Sequence, residues 1–486
     1  VDDVEDNADT DAEPVTYQAK EMAAQAVVAN AADDTDMSDE TTDDTADDAG
    51  ESSVTGPKVY QIDEDTQQAT EIDVAVNDEN NVVLETEQLT NLYSVSLLAA
   101  NGNITTAAAL KTACEAGGTV VLGKDISIAD TITIGSGKNT TLDLKGYKIT
   151  FTNGTKNAKL FHVTGGSLTI VDSTANADGT SKNESKTKRN SIMYADGTRR
   201  SLASISNDKL TYYVVESVET DITKHLTTET QWTHTVPLGN GQAGAIVGSE
   251  TDGQTAILCS SEGAVNMNAG YICGFGSVER PDSITSTYDD YYSAVTILSA
   301  GTFNLSGGVL AANRSYAHGG AIYMYGQDCK LVMTGGIISG NYADREGGGI
   351  YCSSDSSDSG APSITVSGNS YITCNTVNGY YDGKVSIGGG GVHCRYRTSF
   401  TMYGGYITGN YSKGGGGGVK VSLAEREQGG GSTINMYGGY ISANKCLKFQ
   451  GGGISCNFSS QCNVQSKEGS KIYLTNNQML SEGMFG

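Results

Sequence analysis

One short pattern returns six times between residues 302 and 480, and it limits the possible folds of this chain more than any other feature. The pattern reads YGGYITGN from Tyr403 and YGGYISAN from Tyr437, and a glycine run followed by Ile or Val comes after most copies. Its asparagines recur every 28 to 35 residues: Asn313, Asn341, Asn375, Asn410, Asn444 and Asn477. Such a period indicates stacked units that bury their apolar faces only against one another.

Alternation of side chains along a strand assigns the faces of each repeat. Ile407 and Ile441 are expected to point inward, and the tyrosine before each of them outward. The same rule gives one inward aliphatic column: Leu310, Ile338, Ile372, Ile407, Ile441 and Leu474. Segments of Thr, Val, Ile and Tyr broken by Gly and Asn favour short strands, three per coil. The sequence therefore predicts an all-β solenoid.

The charge divides the chain into regions. Residues 1–55 hold 18 Asp and Glu against one Lys, which accounts for most of the net charge of −26. We expect residues 1–56 to form a disordered acidic tail, because such a segment cannot bury enough apolar surface to order itself. Residues 57–104 are expected to be a linker or a small β segment, and 105–486 the solenoid.

A short helix is predicted at 106–118, where alanines and Leu110 end at a pair of glycines suited to a C-cap. It is expected to cap the first coil, whose open strand edges would otherwise be exposed. Residues 173–235 interrupt the pattern with polar turns mixed with strands, and we interpret them as a long excursion between early coils. Regular coils are expected over 302–480. Because the chain begins at Val1 and stops after the sixth asparagine, we expect a segment truncated at its C-terminus.

The stretch 110–118, followed by TVVLG from Thr119 and by LDLKGY at 142–147, resembles the opening of the pectin-lyase-like superfamily. The resemblance runs from about residue 106 to the C-terminus. It implies a right-handed parallel β-helix, in a superfamily that includes lyases, hydrolases, phage tailspikes and surface proteins. The GGAI motif at 319–322 is similar to the repeats of polymorphic outer-membrane adhesins. These resemblances imply a bacterial surface protein.

Three features that suggest ligands are better explained by stacking. The asparagines are expected to form a ladder at a tight turn, where an asparagine tolerates left-handed backbone angles and bonds its neighbours. The glycine runs precede strands and not helices, so they are not phosphate-binding loops. Cys352 and Cys394 alternate with Met324 and Val421 in one inward column, which indicates small buried hydrophobes. We predict no cofactor and no metal.

Two outward features are candidates for ligand binding. Four tyrosines occupy one outward column: Tyr371, Tyr406, Tyr440 and Tyr473. They can present aromatic surface to a glycan or a protein, although packing between rungs that stiffens the sheet is the favoured explanation. The loops after the asparagines carry cations that can form a basic ridge for an anionic polymer, or solvated charge against aggregation: Arg314, Arg345, Lys384, Lys413, Lys445 and Lys448.

Catalysis has less support in the sequence. The acids of the repeats fall in loops and form no column, whereas polysaccharide-cleaving sites need acids on adjacent coils. The sequence therefore favours a secreted or cell-surface, non-catalytic adhesin or binding scaffold whose partner is a carbohydrate or a host- or cell-surface protein. A carbohydrate-active enzyme and a structural stalk remain alternatives. No nucleic-acid module accompanies the cations, and no apolar run is long enough to enter a membrane.

Overall fold

The computed structural model describes residues 103–155, 157–195, 201–224, 226–249, 253–276, 293–354, 360–381, 384–385, 388–422, 431–448, 451–457 and 459–480. Four short strands nearer the N-terminus are also described: β1 (Val59–Ile62), β2 (Ala69–Ile72), β3 (Ala75–Val76) and β4 (Val82–Val83). They form two antiparallel pairs, β1 with β2 and β3 with β4, in a unit that spans 1–100. The acidic tail predicted at 1–56 lies outside the described residues.

The second unit, 101–486, begins with helix α1 (Ala107–Ala116). The Thr106 side chain accepts a hydrogen bond from the Ala109 N–H, and Gly117, at φ 91°, ends the helix. Leu110 and Cys114 are fully buried and join the core below the helix. The predicted cap helix is therefore confirmed. Within the described residues, the chain has no helix with the length and apolar character that a membrane crossing needs.

The strands of this unit are short, as expected from the frequent Gly and Asn. The first coils contain β5 (Gly118–Val121), β6 (Ile126–Ile128), β7 (Ile132–Ile134), β8 (Asn139–Asp143), β9 (Lys148–Phe151), β10 (Lys159–Thr164) and β11 (Ser167–Val171). The excursion contains β12 (Ser185–Arg189), β13 (Ser204–Ser206), β14 (Lys209–Asp221) and β15 (Leu226–Pro237). The stacked pattern then resumes with β16 (Ala245–Gly248), β17 (Thr255–Ser260), β18 (Ala264–Met267), β19 (Tyr271–Cys273), β20 (Val295–Leu298), β21 (Thr302–Leu305) and β22 (Val309–Ala311).

The later coils follow the same order. They contain β23 (Arg314–Ser315), β24 (Ile322–Tyr325), β25 (Lys330–Met333), β26 (Ile337–Ser339), β27 (Tyr342–Ala343), β28 (Ile350–Ser353), β29 (Ser363–Val366), β30 (Tyr371–Thr373), β31 (Thr376–Val377), β32 (Tyr380–Tyr381), β33 (Lys384–Val385) and β34 (Val392–Arg395). The remaining strands are β35 (Ser399–Met402), β36 (Tyr406–Thr408), β37 (Tyr411–Ser412), β38 (Val419–Ser422), β39 (Thr433–Met436), β40 (Gly439–Ser442), β41 (Lys445–Cys446), β42 (Ile454–Cys456), β43 (Gln461–Val464), β44 (Ile472–Thr475) and β45 (Gln478–Met479).

These strands stack into four parallel sheets that run along the solenoid. Sheet 1 has the order β7-β10-β17-β20-β24-β28-β34-β38-β42, and sheet 2 the order β5-β8-β11-β18-β21-β25-β29-β35-β39-β43. Sheet 3 has the order β6-β9-β16-β19-β22-β26-β30-β36-β40-β44, and sheet 4 the order β23-β27-β31-β37-β41-β45. The chain is thus a parallel β-helix, as predicted. The later coils have four strands where the sequence predicted three, because a two-residue strand of sheet 4 follows each asparagine turn.

The inward columns form one continuous core. Leu310, Ile338, Ile372, Ile407 and Ile441 are register partners in sheet 3, and all five are fully buried. Leu474 continues the column in the last described rung, where its side chain is 45% exposed. Eight of the ten cysteines are buried, and the structure joins none of the ten in a disulfide.

The asparagines form a buried hydrogen-bonded ladder beside this core. The Nδ2 of Asn341 donates to the Oδ1 of Asn375 (2.9 Å), and the same oxygen accepts the backbone N–H of Asn341 (3.0 Å). Each rung repeats this pair of bonds as far as Asn477. The left-handed backbone angle that the sequence assigned to the asparagines belongs instead to the residue before each one: Ala312, Gly340, Cys374, Gly409, Ala443 and Asn476. The asparagine can then use both ends of its amide for stacking.

The glycine runs lie where neighbouring rungs approach each other most closely. A Cβ on Gly348 would lie 2.4 Å from the carbonyl oxygen of Gly390, and one on Gly390 would lie 2.4 Å from that of Gly417. The N–H of Gly348 donates to the carbonyl of Gly389 (3.0 Å). Any side chain at these positions would separate the rungs, which explains why the runs consist of glycine.

The excursion is mostly strand and forms a fin on the outside of the solenoid. We define the fin as the antiparallel sheet β12-β15-β14-β13. β13 pairs only with the first three residues of β14, so the rest of that edge meets sheet 3. There it hydrogen-bonds the hydroxyl side chains of Ser339, Thr373 and Thr408, which lie in register. The same hydroxyl column continues through Ser442 to Thr475, whose hydroxyl contacts that of Thr227 in β15. The N–H of Val215 donates to the Thr373 Oγ1 (3.1 Å), and the Thr408 Oγ1 donates to the carbonyl of Val215 (2.6 Å).

Candidate functional site

The predicted tyrosine column forms a regular stack alongside the fin. The ring centroids of Tyr371 and Tyr406 are 4.5 Å apart, those of Tyr406 and Tyr440 4.9 Å, and those of Tyr440 and Tyr473 4.5 Å. All three pairs are within 9° of parallel. Tyr371 packs against the apolar cluster at the base of the fin, and Tyr473 is buried.

The fin also affects the ionisation of this stack. Burial raises the pKa of Tyr371, and the nearby Tyr406 and Glu216 add to the effect. Burial likewise raises the pKa of Tyr440, with contributions from Tyr406 and Glu219. Because Glu216 and Glu219 belong to β14, the column is partly covered by the chain itself. This arrangement favours packing between rungs over an open ligand-binding face.

The predicted basic ridge is divided among different columns of sheet 4 and the loop after it. Arg314 and Lys445 share one column, but Tyr342, Thr376 and Tyr411 occupy the rungs between them. The Lys445 ammonium lies over the ring of Tyr194, 4.1 Å from its centroid, in a packing contact within the chain.

The other cations do not complete the ridge. The N–H of Lys413 donates to the carbonyl of Val377. One rung later the N–H of Leu447 makes the equivalent hydrogen bond, so the next residue in the column of Lys413 is a leucine and not a cation. Arg345 bonds through its N–H to the carbonyl of Ala317, Lys384 lies in β33, and Lys448 is exposed in the loop after β41. The register therefore does not bring the six cations into one strip.

A cluster of ionisable side chains lies on the outer face of sheet 1, where the sequence had suggested none. Four outward-pointing residues in register are almost completely buried: Tyr323, Tyr351, His393 and Lys420. Glu346 lies in the turn before a glycine run, and its side chain is only 2% exposed. His318 is its bridge partner one rung earlier.

Glu346 is the centre of this cluster. Its Oε2 lies 3.1 Å from the Nδ1 of His318 and 3.5 Å from the Nη1 of Arg395, and its Oε1 lies 3.6 Å from the Nδ1 of His393. The Nε2 of His393 is 2.8 Å from the hydroxyl of Ser422. The cluster reaches the surface through His318 and Arg395, whose side chains are partly exposed.

The cluster is arranged to keep one buried carboxylate ionised. Burial alone would raise the pKa of Glu346, but His393, Arg395 and His318 together hold it well below its usual value. Burial lowers the pKa of His393 to about 3 against the opposing effect of Glu346, so this imidazole is neutral at pH 7. Burial also lowers the pKa of Lys420. Arg395 therefore provides the permanent positive charge beside Glu346, and perturbed groups of this kind mark candidate functional sites.

A second polar cluster lies at the base of the fin. Glu184 contacts the Nδ1 of His234 and accepts hydrogen bonds from the hydroxyls of Tyr212 (2.8 Å) and Tyr271 (3.3 Å). The loop that carries Glu184 lines a pocket of about 360 Å³ together with Asp178 and other polar residues. Its carboxylate oxygens are already engaged, so Glu184 acts mainly to fix the loop to the solenoid.

The described structure does not place Glu346 in a pair of carboxylates. Glu346 has no second carboxylate among its ionic contacts. Several acids of the repeats lie outside the described residues: Asp355, Asp358, Asp382, Glu425 and Glu427. Among the described residues, no group of three or more His, Cys, Asp or Glu side chains is placed to hold a metal ion.

Two sequence signals for these features were available but were not recognised. The residue before the glycine runs is His318 in one repeat and Glu346 in the next, where a neutral spacer would be sufficient. The residue after each inward aliphatic in the last five asparagine repeats is always Ser or Thr, as in Thr408. None of the three comparisons with known proteins, with family models, curated proteins or solved structures, gave a match.

Proposed function

We propose that this chain is a secreted or cell-surface, non-catalytic binding scaffold that presents an outer face of its β-helix to a glycan or another surface ligand. The observation that carries the proposal is an exposed aromatic platform between sheets 2 and 3. The rings of Tyr403 and Tyr437 stack at 5.3 Å, and the Lys467 ammonium lies 4.6 and 4.5 Å from their centroids. Tyr403 is 45% exposed.

The platform adjoins the outer face of sheet 2, on which small polar residues follow one another in register. In the last four rungs these are Thr365, Thr401, Asn435 and Asn463, and all four are at least partly exposed. A parallel column of Ser363, Ser399, Thr433 and Gln461 runs beside them. Successive rungs are about 4.8 Å apart, so the face offers hydroxyl and amide groups at a regular interval.

This combination suits a polyhydroxylated ligand. Tyrosine provides rigid amphipathic contact area, and hydroxyl and amide side chains supply hydrogen bonds without a net charge. The Lys467 ammonium adds one cation and thus favours a glycan with some acidic groups. The stack of Tyr371, Tyr406, Tyr440 and Tyr473 is less suitable for binding a glycan, because the fin partly covers it.

The test is a binding measurement with two matched double variants. Purified chain is titrated with a panel of acidic and neutral polysaccharides by calorimetry, and Tyr403→Ala/Tyr437→Ala is compared with Tyr406→Ala/Tyr440→Ala. We expect the first variant to bind at least about tenfold more weakly, as the loss of a stacked pair implies, and the second to bind normally if it stays folded. Equal binding by wild type and the first variant, or no binding to any glycan, would refute the proposal.

The Glu346 cluster favours a second candidate, a carbohydrate-active enzyme. It combines an ionised carboxylate, a partly exposed imidazole and a guanidinium near one outer face. Incubation of the chain with the same polysaccharides, with and without calcium, tests this alternative. New reducing ends or unsaturated products that disappear in Glu346→Gln would establish catalysis. Their absence at every pH between 4 and 9 would remove the enzyme candidate.

A further inference from the structure

The outer face of sheet 1 holds a serine, a histidine and a glutamate in one row across the strands. Ser422 is the last residue of β38, His393 lies in β34, and Glu346 lies in the turn before β28. The Ser422 hydroxyl is 2.8 Å from the Nε2 of His393, and the Nδ1 of His393 is 3.6 Å from the Oε1 of Glu346. The imidazole therefore stands between a hydroxyl on one side and a carboxylate on the other.

The register produces this row at one place in sheet 1. From β20 to β42 the outward residues that contain His393 are, in order, Thr296, Tyr323, Tyr351, His393, Lys420 and Ser455. In the outward column beside it, Ser353 lies one rung before Arg395 and Ser422 one rung after it. His393 bonds the later of these two serines, so Ser353 is a natural comparison for Ser422.

The two neighbours of His393 favour one tautomer of its ring. The Nε2 accepts the Ser422 hydroxyl proton when the Nδ1 carries the ring proton, and this tautomer turns an N–H toward Glu346. The buried Nδ1 makes no hydrogen bond at 3.6 Å in the described structure, and a closure of about half an ångström would give it one. The Oε2 of Glu346 already contacts His318 and Arg395, which leaves the Oε1 for His393.

The row is most accessible at its serine end. His393 is fully buried, whereas Ser422 is 7% exposed. Arg395 flanks Ser422 on the rung before and Asn457 on the rung after, and both are partly exposed. The N–H of Asn457 bonds the carbonyl of Val421 (3.0 Å), which extends the ladder by one residue and places Asn457 beside Ser422. Such limited access suits a small reacting group.

These two flanking residues can stabilise negative charge that develops at Ser422. The Oδ1 of Asn457 accepts the Ser455 hydroxyl (2.8 Å), which fixes the amide and leaves its N–H groups as donors. Arg395 is the register partner of Ser422 and carries a permanent positive charge. Amide donors and cations of this kind stabilise the tetrahedral intermediates of acyl transfer.

We propose that Ser422, His393 and Glu346 form a catalytic triad that hydrolyses short acyl esters, such as the O-acetyl groups of a glycan. Ser422 is the nucleophile and His393 the general base, and Glu346 orients the imidazole and stabilises its protonated form. This activity goes beyond both candidate functions described above, because it removes an acyl group and leaves the polysaccharide backbone intact. The chain would then be a binding scaffold with one hydrolytic site.

The reaction needs water as its only second substrate. The Ser422 Oγ attacks the carbonyl carbon of the ester while its proton moves to the Nε2 of His393. The tetrahedral intermediate collapses, the bond between the carbonyl carbon and the alcohol oxygen breaks, and the imidazolium returns the proton to that oxygen. Water then attacks the acyl group on Ser422 by the same route and releases the carboxylic acid and the free serine.

The buried position of His393 predicts a characteristic pH dependence. Burial lowers the pKa of this imidazole to about 3 from its usual 6.5; Glu346 opposes the shift, and Lys420, Arg395 and His318 add to it. The neutral ring that accepts the proton is therefore still present at pH 5. We expect the rate to stay level between pH 7 and 5, and to be low because a weakly basic ring accepts a proton slowly.

The test measures the hydrolysis of two esters by the full chain. p-Nitrophenyl acetate reports on the triad alone, because it contains no sugar, and acetylated xylan reports on a glycan ester through released acetate. We expect Ser422→Ala to lose at least about a hundredfold in kcat/KM, and Ser353→Ala to keep the parent rate. Equal rates for the parent chain and Ser422→Ala would overturn the proposal. Failure of the glycan-binding titrations with intact ester hydrolysis would refute the binding function and not the triad.

A fluorophosphonate probe gives a second measurement that needs no variant. It should label Ser422 in the native parent chain and not in the chain unfolded by urea, and labelling should abolish hydrolysis. A native chain without label on Ser422, or a labelled chain that still hydrolyses the ester, would show that Ser422 is not the nucleophile. A rate that falls about tenfold from pH 7 to 5 would show that the base is not the buried imidazole.

Glu346→Gln separates a role in the reaction from a role in folding. Because Glu346 acts through His393 and does not touch the ester, the variant should lower kcat and leave KM nearly unchanged. Glu346→Asp should restore part of kcat. If both variants lower the melting temperature and leave kcat at the parent value, Glu346 is structural and the triad is wrong as proposed.

Discussion

Replacing Asn410 by alanine tests how much of the fold depends on the asparagine ladder. The Asn410 Nδ2 donates to the carbonyl of Ile372 (2.9 Å) and to the Oδ1 of Asn444 (3.0 Å). Its Oδ1 accepts the backbone N–H (3.0 Å) and the side-chain Nδ2 (3.1 Å) of Asn375. All of these groups are buried, so water cannot replace the lost partners.

The magnitude follows from these four bonds. A hydrogen bond contributes about 1 kcal/mol net, and a buried group left without a partner costs about 1–3 kcal/mol. We therefore expect Asn410→Ala to lower the free energy of unfolding by about 4 kcal/mol. Asn477 is the matched control, because it makes three equivalent bonds at the partly exposed end of the ladder. Water can take over part of its role, so Asn477→Ala should cost about 1 kcal/mol.

Urea unfolding, followed by circular dichroism, measures both changes. Because rungs of a solenoid can open locally, hydrogen exchange of residues 371–376 and 406–411 is measured in parallel. The exchange of these rungs should accelerate in Asn410→Ala and not in Asn477→Ala. If the interior variant costs no more than the terminal one, the ladder is not the source of stability that its geometry implies.

Three further predictions follow from the burial of particular groups. Burial lowers the folded pKa of His393 to about 3 from its usual 6.5, so the unfolded chain binds an extra proton between these values and stability falls as the pH drops through that window. The melting temperature of His393→Asn should therefore depend less on pH between 6.5 and 3 than that of the parent chain. An equally steep dependence would contradict the lowered pKa of His393. A thiol reagent should modify only Cys456 and Cys462 in the native chain and the other eight cysteines only in urea, since those eight are buried; more than two fast native thiols would be inconsistent with this burial. Thr408→Val removes the hydroxyl that donates to Val215 and should destabilise the fin by about 1–2 kcal/mol, seen as faster exchange in β14, whereas unchanged exchange would show that this bond does not hold the fin.

Much of the solenoid was predictable because its signals are local and periodic. The alternation around Ile407 and Ile441 is enough to assign the inward face, and Leu110 before the glycine pair is enough to predict the cap helix. The assignment of the left-handed angle to the asparagines was wrong, although asparagine tolerates that angle better than the alanine or cysteine before it. Only the backbone shows that Cys374 and Ala443 adopt it.

The candidate sites depend on contacts that a single sequence does not reveal. Glu346 lies in a polar, glycine-rich turn and looks solvent-exposed until the register brings Arg395, 49 residues later, to its side. The tyrosine column looks open until the fin, more than 130 residues earlier in the chain, is placed beside Tyr371. Side-chain burial by a distant segment is a tertiary property, and no local pattern predicts it.

The position of the fin in the chain has a consequence for the order of assembly. β14 and β15 precede every asparagine repeat, so they leave the ribosome before the rungs that later lie against them. Early coils and the base of the fin can form first, since Leu210 packs with Ala245 and Tyr271. The free edge of β14 then offers backbone groups to the coming rungs. The hydroxyls of Ser339, Thr373 and Thr408 bond to it in turn. The chain thus carries its own assembly template. A rung stacked out of register would leave backbone groups at the edge of β14 without their hydrogen bonds.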